Sequence, residues 1–288
     1  MAKLSHRKVV VAHSPDSDDA FMFYGIATQK VRSPLLAFQH VLEDIESLNQ
    51  AAMQSRYDMT AISYHVYPYV ADRYVLTAAG SSVGDGYGPL LVSMRSCSVE
   101  ELKGKTIAVP GAMTTACLVM KLCLPDFRPL VVPFDKVIAA LEQGAADAGL
   151  LIHEGQVNFD RLGVHRVLDL GRWWKQSSGL PLPLGANAVL RSLDRETRRE
   201  CSLMLRRSIE YALGHREEAL SYALQFSRGL DSELTEKFVG MYVNDFTLAG
   251  GPQLAEAAQR LWDMGYEAGL LPGPSRVEFE EAAVEAKA

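Results

Sequence analysis

The sequence predicts an α/β protein of two lobes with a ligand cleft between them. Three observations carry that expectation: a repeated strand, turn and helix pattern, two segments marked by proline and glycine, and a last third that reads as helix alone. The pattern opens at residues 9–12, Val-Val-Val-Ala, an apolar run that reads as a buried strand. The polar turn of residues 13–19 follows, and a helical pattern begins at Ala20. Further strand signals lie at residues 57–63, 105–110 and 148–152. Strands alternating with helices imply a largely parallel sheet. Between them, residues 43–54, 114–124 and 134–143 carry helical spacing, the last ending on Gly144, which can supply a left-handed cap. Beyond Ser192 only helices are expected, at residues 195–214, 217–226, 232–242 and 253–268.

A chain of 288 residues suits two cores of ordinary size. The segments 84–90 and 179–185 sit where the chain would cross to a second lobe and return. This expectation puts residues 1–92 and 192–288 in a discontinuous first lobe that carries the C-terminal helices, and residues 93–191 in the second. The crossings would fall near residues 88–93 and 184–191. In open α/β sheets ligands collect beyond the carboxyl ends of the strands, here the turns after Ala12, Val109 and Ile152.

Composition excludes several functional classes. A formal charge of −6 is not the footprint of a nucleic-acid binder, and in the one dense basic run, residues 191–207, arginines alternate with Asp194, Glu196 and Glu200, as on a solvated helix face. The apolar stretch near the N-terminus is too short for a signal-peptide core, and no run approaches the length of a membrane span. Cys97, Cys117, Cys123 and Cys201 form no CxxC pair, so free thiols in a reducing cytoplasm are expected. Residues 280–288, small and polar, read as a frayed helix. Dinucleotide, P-loop, serine-hydrolase and zinc-protease motifs have no match.

Chemistry-bearing residues gather at the strand ends. His153 directly follows an apolar strand, where a rigid imidazole titrating near neutrality suits a general base; it could equally cap the strand by bonding a loop carbonyl. His65, in Ser63-Tyr64-His65-Val66-Tyr67, is the rival base, while Tyr64 and Tyr67 suit packing. Asp16, Asp18 and Asp19 share one turn and could cap the next helix, meet substrate hydroxyls or hold a cation; Asp19 sits nearest the helix start. Thr114 and Thr115 open a helix after Gly111, where free amides and hydroxyls could seat a carboxylate or simply cap. Trp173 and Trp174 could wall a cleft, although packing is the simpler reading.

An ordered set of segments adds a resemblance. Ser14-Pro15-x-x-x-Asp19-x-Phe21-x-Phe23-Tyr24 is followed by Leu42-Glu43-Asp44-Ile45-Glu46-x-Leu48-Asn49, Ser63-Tyr64 and Gly88-Pro89-Leu90. Then come Val109-Pro110-Gly111-x-x-Thr114-Thr115-Ala116, Gly149-Leu150-Leu151-Ile152-His153-Glu154, Trp173-Trp174 and the run from Ser178 to Gly185. Together they resemble the 1,4-dihydroxy-6-naphthoate synthase family, from near Val9 to about residue 250.

The resemblance implies the type II periplasmic-binding-protein fold used as a cytoplasmic enzyme, with cyclic dehypoxanthine futalosine as substrate. Cleavage would give 1,4-dihydroxy-6-naphthoate and a three-carbon fragment without redox cofactor or metal. His153 would be the base, Thr114 and Thr115 would receive the substrate carboxylate, and Asp19 and Ser63 would meet its hydroxyls. The chain departs from the family pattern at Asp18, where asparagine is usual, at Ala20, at Gly155 and at His65-Val66. A chorismate dehydratase-like paralogue and a solute-binding protein without catalysis stand as alternatives, the latter because this fold usually serves receptors.

Overall fold

The computed structural model describes residues 6–280, so residues 281–288 of the expected terminal helix lie outside the described residues. Strand β1 (Arg7–His13) is followed by α1 (Ser17–Ala27), β2 (Leu36–Leu42), α2 (Ile45–Met53), β3 (Met59–Ser63), the single turn α3 (Tyr67–Val70), β4 (Tyr74–Thr77) and β5 (Ser82–Gly84). The chain then forms β6 (Leu90–Ser93), β7 (Thr106–Val109), α4 (Thr115–Cys123), β8 (Arg128–Val131), α5 (Val137–Glu142), β9 (Ala148–Leu151), α6 (Gly155–Asn158), β10 (His165–Asp169) and α7 (Leu170–Ser178). It returns through β11 (Leu182–Leu190) and ends with α8 (Arg195–Gly214), α9 (Arg216–Ala223), α10 (Ser232–Tyr242), α11 (Asp245–Leu248), α12 (Gly251–Glu267) and β12 (Phe279–Glu280).

These strands build two sheets, one ordered β12-β4-β11-β3-β1-β2 with β5 beside β11, the other β10-β6-β9-β7-β8. The expected largely parallel arrangement is only half right. The βα units β1, β2 and β3 run parallel, as do β7, β8 and β9, whereas β11 is antiparallel to β3, β4 and β5, and β6 is antiparallel to β9 and β10. The reason lies in where the chain crosses. The parallel strands end at the cleft, so a strand entering from the other sheet starts at the cleft and must run away from it.

The crossings themselves are displaced from the expected boundaries. β6 already belongs to the second sheet and β11 to the first, which puts the crossings at residues 85–89 and in the segment just before Leu182. Proline and glycine in residues 182–185 suggested a linker, yet Pro183 and Gly185 pair with Val83 and Ser82 across an irregular ladder. A proline beside a bulge keeps a strand because the missing N–H falls where the ladder is already broken.

Helix α1 is buried on nearly every side, from Ser17 to Ile26, as befits a helix apolar all round. It packs on α8: Ser208 Oγ donates to Met22 O at 2.7 Å, and a Cβ at Gly25 would come within 3.0 Å of Ser208 Cα. Glycine there is what permits the close helix approach. The expectation that all the C-terminal helices sit on the first lobe needs amending. Leu254, Ala258, Leu261 and Trp262 of α12 share one core with Leu118 of α4 and Leu91 of β6, and Trp262 Nε1 donates to Tyr64 O at 2.8 Å. The last third also contains one strand, β12, which extends the first sheet beside β4.

Other bonds cross between the sheets near their carboxyl ends. Glu46 of α2 accepts the Met113 amide at 3.0 Å, Asn49 donates to Met113 O at 3.3 Å, and Tyr242 of α10 donates to Gln156 of α6 at 2.5 Å. The arginine-rich run at 191–207 carries ion pairs, with Arg191 on Glu278 and Arg198 on Glu280, each at 2.7 Å. The four cysteines are free thiols, and no helix among the described residues is long and apolar enough to cross a membrane.

Candidate active site

The carboxyl ends of β1, β3, β7 and β9 converge on one cleft enclosing about 680 Å³ of empty space, including open solvent at its mouth. Its wall contains Asp19, Ser63, Thr114, Thr115 and His153, the five residues singled out from sequence. Volume and a largely apolar lining, with Ile45, Ile62, Ile152, Leu184 and Phe238, suit a small organic ligand held by a few polar groups.

His153 occupies the position just beyond β9, separated from it by Ile152, with a backbone φ of +52°. That left-handed conformation is uncommon for a residue with a Cβ, and such strain is held where the surroundings over-determine it. Here they do. Asp16 Oδ2 lies 2.9 Å from His153 Nδ1, and the Phe134 ring meets the imidazole edge-on at 5.3 Å between centroids. Arg228 covers the other side of Phe134 at 4.0 Å and donates to Pro15 O at 3.1 Å. When the ring is neutral and Nδ1 donates to the carboxylate, Nε2 is the nitrogen without a proton, and it is buried without a protein partner. An imidazole in that tautomer is set to accept a proton.

Asp16, not Asp19, caps α1, accepting the Asp19 amide at 3.3 Å. Burial would raise the Asp16 carboxyl, but the adjacent His153 charge and hydrogen bonds from His153, Asp18 and Ser14 hold it well below the usual range. Burial likewise works to lower His153, and the charge and hydrogen bond of Asp16, helped by Glu154, outweigh it, so His153 lies above the ordinary imidazole value. Burial followed by the charges of Asp16 and Asp19 pushes Asp18 far upward. Asp19 is raised by burial and Asp16, although it accepts the Ser14 amide at 2.7 Å. Asp16, Asp18 and His153 offer donor atoms within 4.8 Å of one another, an arrangement that could also hold a cation.

Across the cleft, Asn49 fixes Ser63: its Nδ2 donates to Ser63 Oγ at 3.0 Å and its Oδ1 accepts the Ser63 amide at 2.8 Å. The serine proton is thereby left to donate to a ligand. Of the two readings of the threonines, Thr114 takes the capping one. Thr114 Oγ1 caps α4 by accepting the Cys117 amide at 3.2 Å and donates to Gly111 O at 3.0 Å, while Thr115 Oγ1 donates to Leu184 O at 2.7 Å. Both hydroxyls act as structural groups, so an anion at this corner would be met by the first-turn amides of α4.

His65 is withdrawn from the cleft. Its Nδ1 contacts Thr114 O at 3.1 Å, and burial pushes it down to about 4. Trp174 is core, donating from Nε1 to Pro181 O at 2.9 Å, and Tyr67 stacks on Trp262 at 5.0 Å. Sequence reasoning missed Asn187 and Gln156 in the cleft wall and the role of Asn49. Asn49 alone had a signal, since it closes the Leu42-to-Asn49 segment; Asn187 lies on β11, which read as linker.

Comparison with known proteins finds relatives along nearly the whole chain. A family model described as menaquinone biosynthesis matches residues 9–267. A curated 1,4-dihydroxy-6-naphthoate synthase of Thermus thermophilus is 39% identical over 91% of this chain and 95% of its own length, and one of Streptomyces coelicolor is 32% identical over 93% and 97%. The crystal structure of an Archaeoglobus fulgidus protein superposes with a TM-score of 0.88 at 46% identity, covering 92% of this chain and 98% of that one. The alkanesulfonate-binding protein of Xanthomonas axonopodis pv. citri superposes at 0.71 with 16% identity, covering 95% and 97%, a likeness of fold alone.

Proposed function

The chain belongs to the menaquinone-biosynthesis family, in company with the 1,4-dihydroxy-6-naphthoate synthases it resembles across nearly its whole length, and from that premise we propose that it cleaves cyclic dehypoxanthine futalosine to 1,4-dihydroxy-6-naphthoate and a three-carbon fragment. The observation that carries this reading is the His153–Asp16 pair, both members of which line the same cleft as Ser63 and the start of α4.

In this reading His153 Nε2 accepts a proton from the substrate. The electron pair released drives cleavage of a carbon–carbon bond, and the six-membered ring gains aromatic character as the fragment departs. Asp16 stabilises the imidazolium that forms and keeps the ring oriented. The substrate carboxylate meets the first-turn amides of Thr115 and Ala116, where the helix end favours negative charge. Ser63 donates to a substrate oxygen, Asp19 meets a hydroxyl, and the apolar walls hold the flat ring system. No step requires hydride transfer. The free thiols support a reducing, cytoplasmic setting.

The test is direct. Purified protein is incubated with the cyclic futalosine derivative, and the naphthoate is followed by liquid chromatography. Product forming in proportion to protein is expected; substrate bound but returned unchanged would point to a receptor instead.

A further inference from the structure

The carboxyl groups of Asp16, Asp18, Asp19 and Glu154 are all buried, and those of Asp16 and Asp18 each offer an oxygen within 4.8 Å of a ring nitrogen of His153. Three come from the turn that opens α1, and Glu154 follows His153 in the chain. The opposing positive groups are His153 itself and Arg228, and the Tyr242 hydroxyl on α10 is a further neighbour of Asp18. Carboxylates this close cannot all remain ionised away from water.

The distribution of donors decides which one is neutral. Asp16 has His153 Nδ1 at 2.9 Å and the Asp19 amide at 3.3 Å. Asp19 has the Ser14 amide at 2.7 Å, and Glu154 has the amide and hydroxyl of Ser17, both at 3.4 Å. Asp18 receives only the Ser82 hydroxyl, at 3.2 Å on Oδ2, while its Oδ1 is buried with no partner. An orphaned oxygen beside a neighbouring carboxylate is where a shared proton belongs.

We propose that Asp18 is a neutral carboxylic acid that donates to Asp16, making a relay Asp18–Asp16–His153 in which Asp18 is a positioning residue for the base. A carboxylate oxygen of Asp18 lies within 4.8 Å of one of Asp16, and the strong upward push that burial and the Asp16 charge exert on Asp18 agrees with this. The proton removes one of two adjacent charges, so Asp16 remains a single anion directed at His153. The relay deepens the catalytic reading above and rests on it for its kinetic consequence, but the protonation state is a property of the protein without substrate.

Two measurements test it. Infrared spectroscopy of the free protein near neutral pH should show a protonated-carboxyl carbonyl band that is absent from Asp18→Asn. That readout needs no substrate, so it stands even if the proposed reaction fails. In turnover assays Asp18→Ala should lose roughly tenfold or more in kcat, and Asp18→Asn, which keeps a neutral donor toward Asp16, should restore most of the loss and leave the acidic limb of the pH profile in place. Absence of the band overturns the proposal. So does a fall of the acidic limb by about one unit or more in Asp18→Asn, because an anionic Asp18 would then have been supporting the imidazolium. Activity lost to a chelator and restored by a divalent cation also overturns it, since a cation would then occupy the place assigned to the proton.

Discussion

Asp16 Oδ2 stands 2.9 Å from His153 Nδ1, joining the turn after β1 of one sheet to the residue beyond β9 of the other. The bond therefore does two things. It selects the His153 tautomer with Nε2 free, and it forms only when the two sheets are brought together at the cleft. Asp16 also caps α1, so its carboxylate is held by the helix start as well as by His153.

Replacing Asp16 with asparagine should move the acidic limb of kcat/KM to lower pH. In the proposed reaction the neutral imidazole is the active form, so activity should be lost as pH falls through the His153 pKa. Asp16 holds that value above the ordinary one against burial, so without the charge burial prevails and the value drops. Turnover should also fall, by part of the ~10²–10⁴-fold that a positioned base supplies. Initial rates across pH measure both effects.

His153→Asn should lose turnover on the full ~10²–10⁴ scale while circular dichroism and the melting midpoint stay close to the parent. His65→Asn should retain turnover, because His65 is bonded to Thr114 O outside the cleft wall. Reversal of the two outcomes would reassign the base.

Ser63→Ala should raise KM about tenfold with a smaller effect on kcat, as expected when a ligand hydrogen bond worth ~1.5 kcal/mol is removed from binding. Steady-state kinetics separates the two parameters. Equal losses in kcat and kcat/KM would place the serine in the transition state instead.

Thr114→Ala should cost about 1 kcal/mol of stability through loss of the α4 cap. The urea midpoint should fall at unchanged slope. An unchanged midpoint would mean that the bond to the Cys117 amide contributes nothing.

Acid should unfold the protein partly through His13. Buried and stacked on Phe23 at 4.2 Å, it is pushed down to about 3, by burial first and by His40 second. The folded value lies below the ordinary 6.5, so the unfolded chain binds the proton more tightly, and stability is lost as pH falls from 6.5 toward 3. At pH 5 the loss is roughly 2 kcal/mol. His13→Gln does not titrate, and its stability difference between pH 7 and pH 5, from urea unfolding, should be smaller by about that amount.

Local chemistry determined a good deal by itself. The spacing of apolar residues placed α8 and α10 at the bounds the structure shows, and Gly144 takes the left-handed φ of +67° expected of a helix cap. The polar turns after Ala12, Val109 and Ile152 could be assigned to one cleft because parallel βα units put their carboxyl ends on one edge. From its place beyond an apolar strand His153 could be read as a base or as a cap, and the structure puts it in the cleft wall beside Asp16.

Tertiary structure decided what depends on partners distant in the chain. The short strands β5 and β6 carry little pattern of their own, and the nine-residue β11 owes its existence to ladders with β3, β4 and β5 that override Pro183 and Gly185. Asp16, Asp18 and Asp19 share one turn, and only the approach of His153, 137 positions after Asp16, gave Asp16 the imidazole, whereas Asp19 takes the nearby Ser14 amide and Asp18 keeps an orphaned oxygen. The Thr115 hydroxyl, read as a ligand group or a cap, was claimed by the Leu184 carbonyl, 69 positions away, which no local pattern records. Helix and turn formation rest on neighbours within a few residues, whereas burial and charge pairing depend on contacts that exist only once the two sheets have closed on each other.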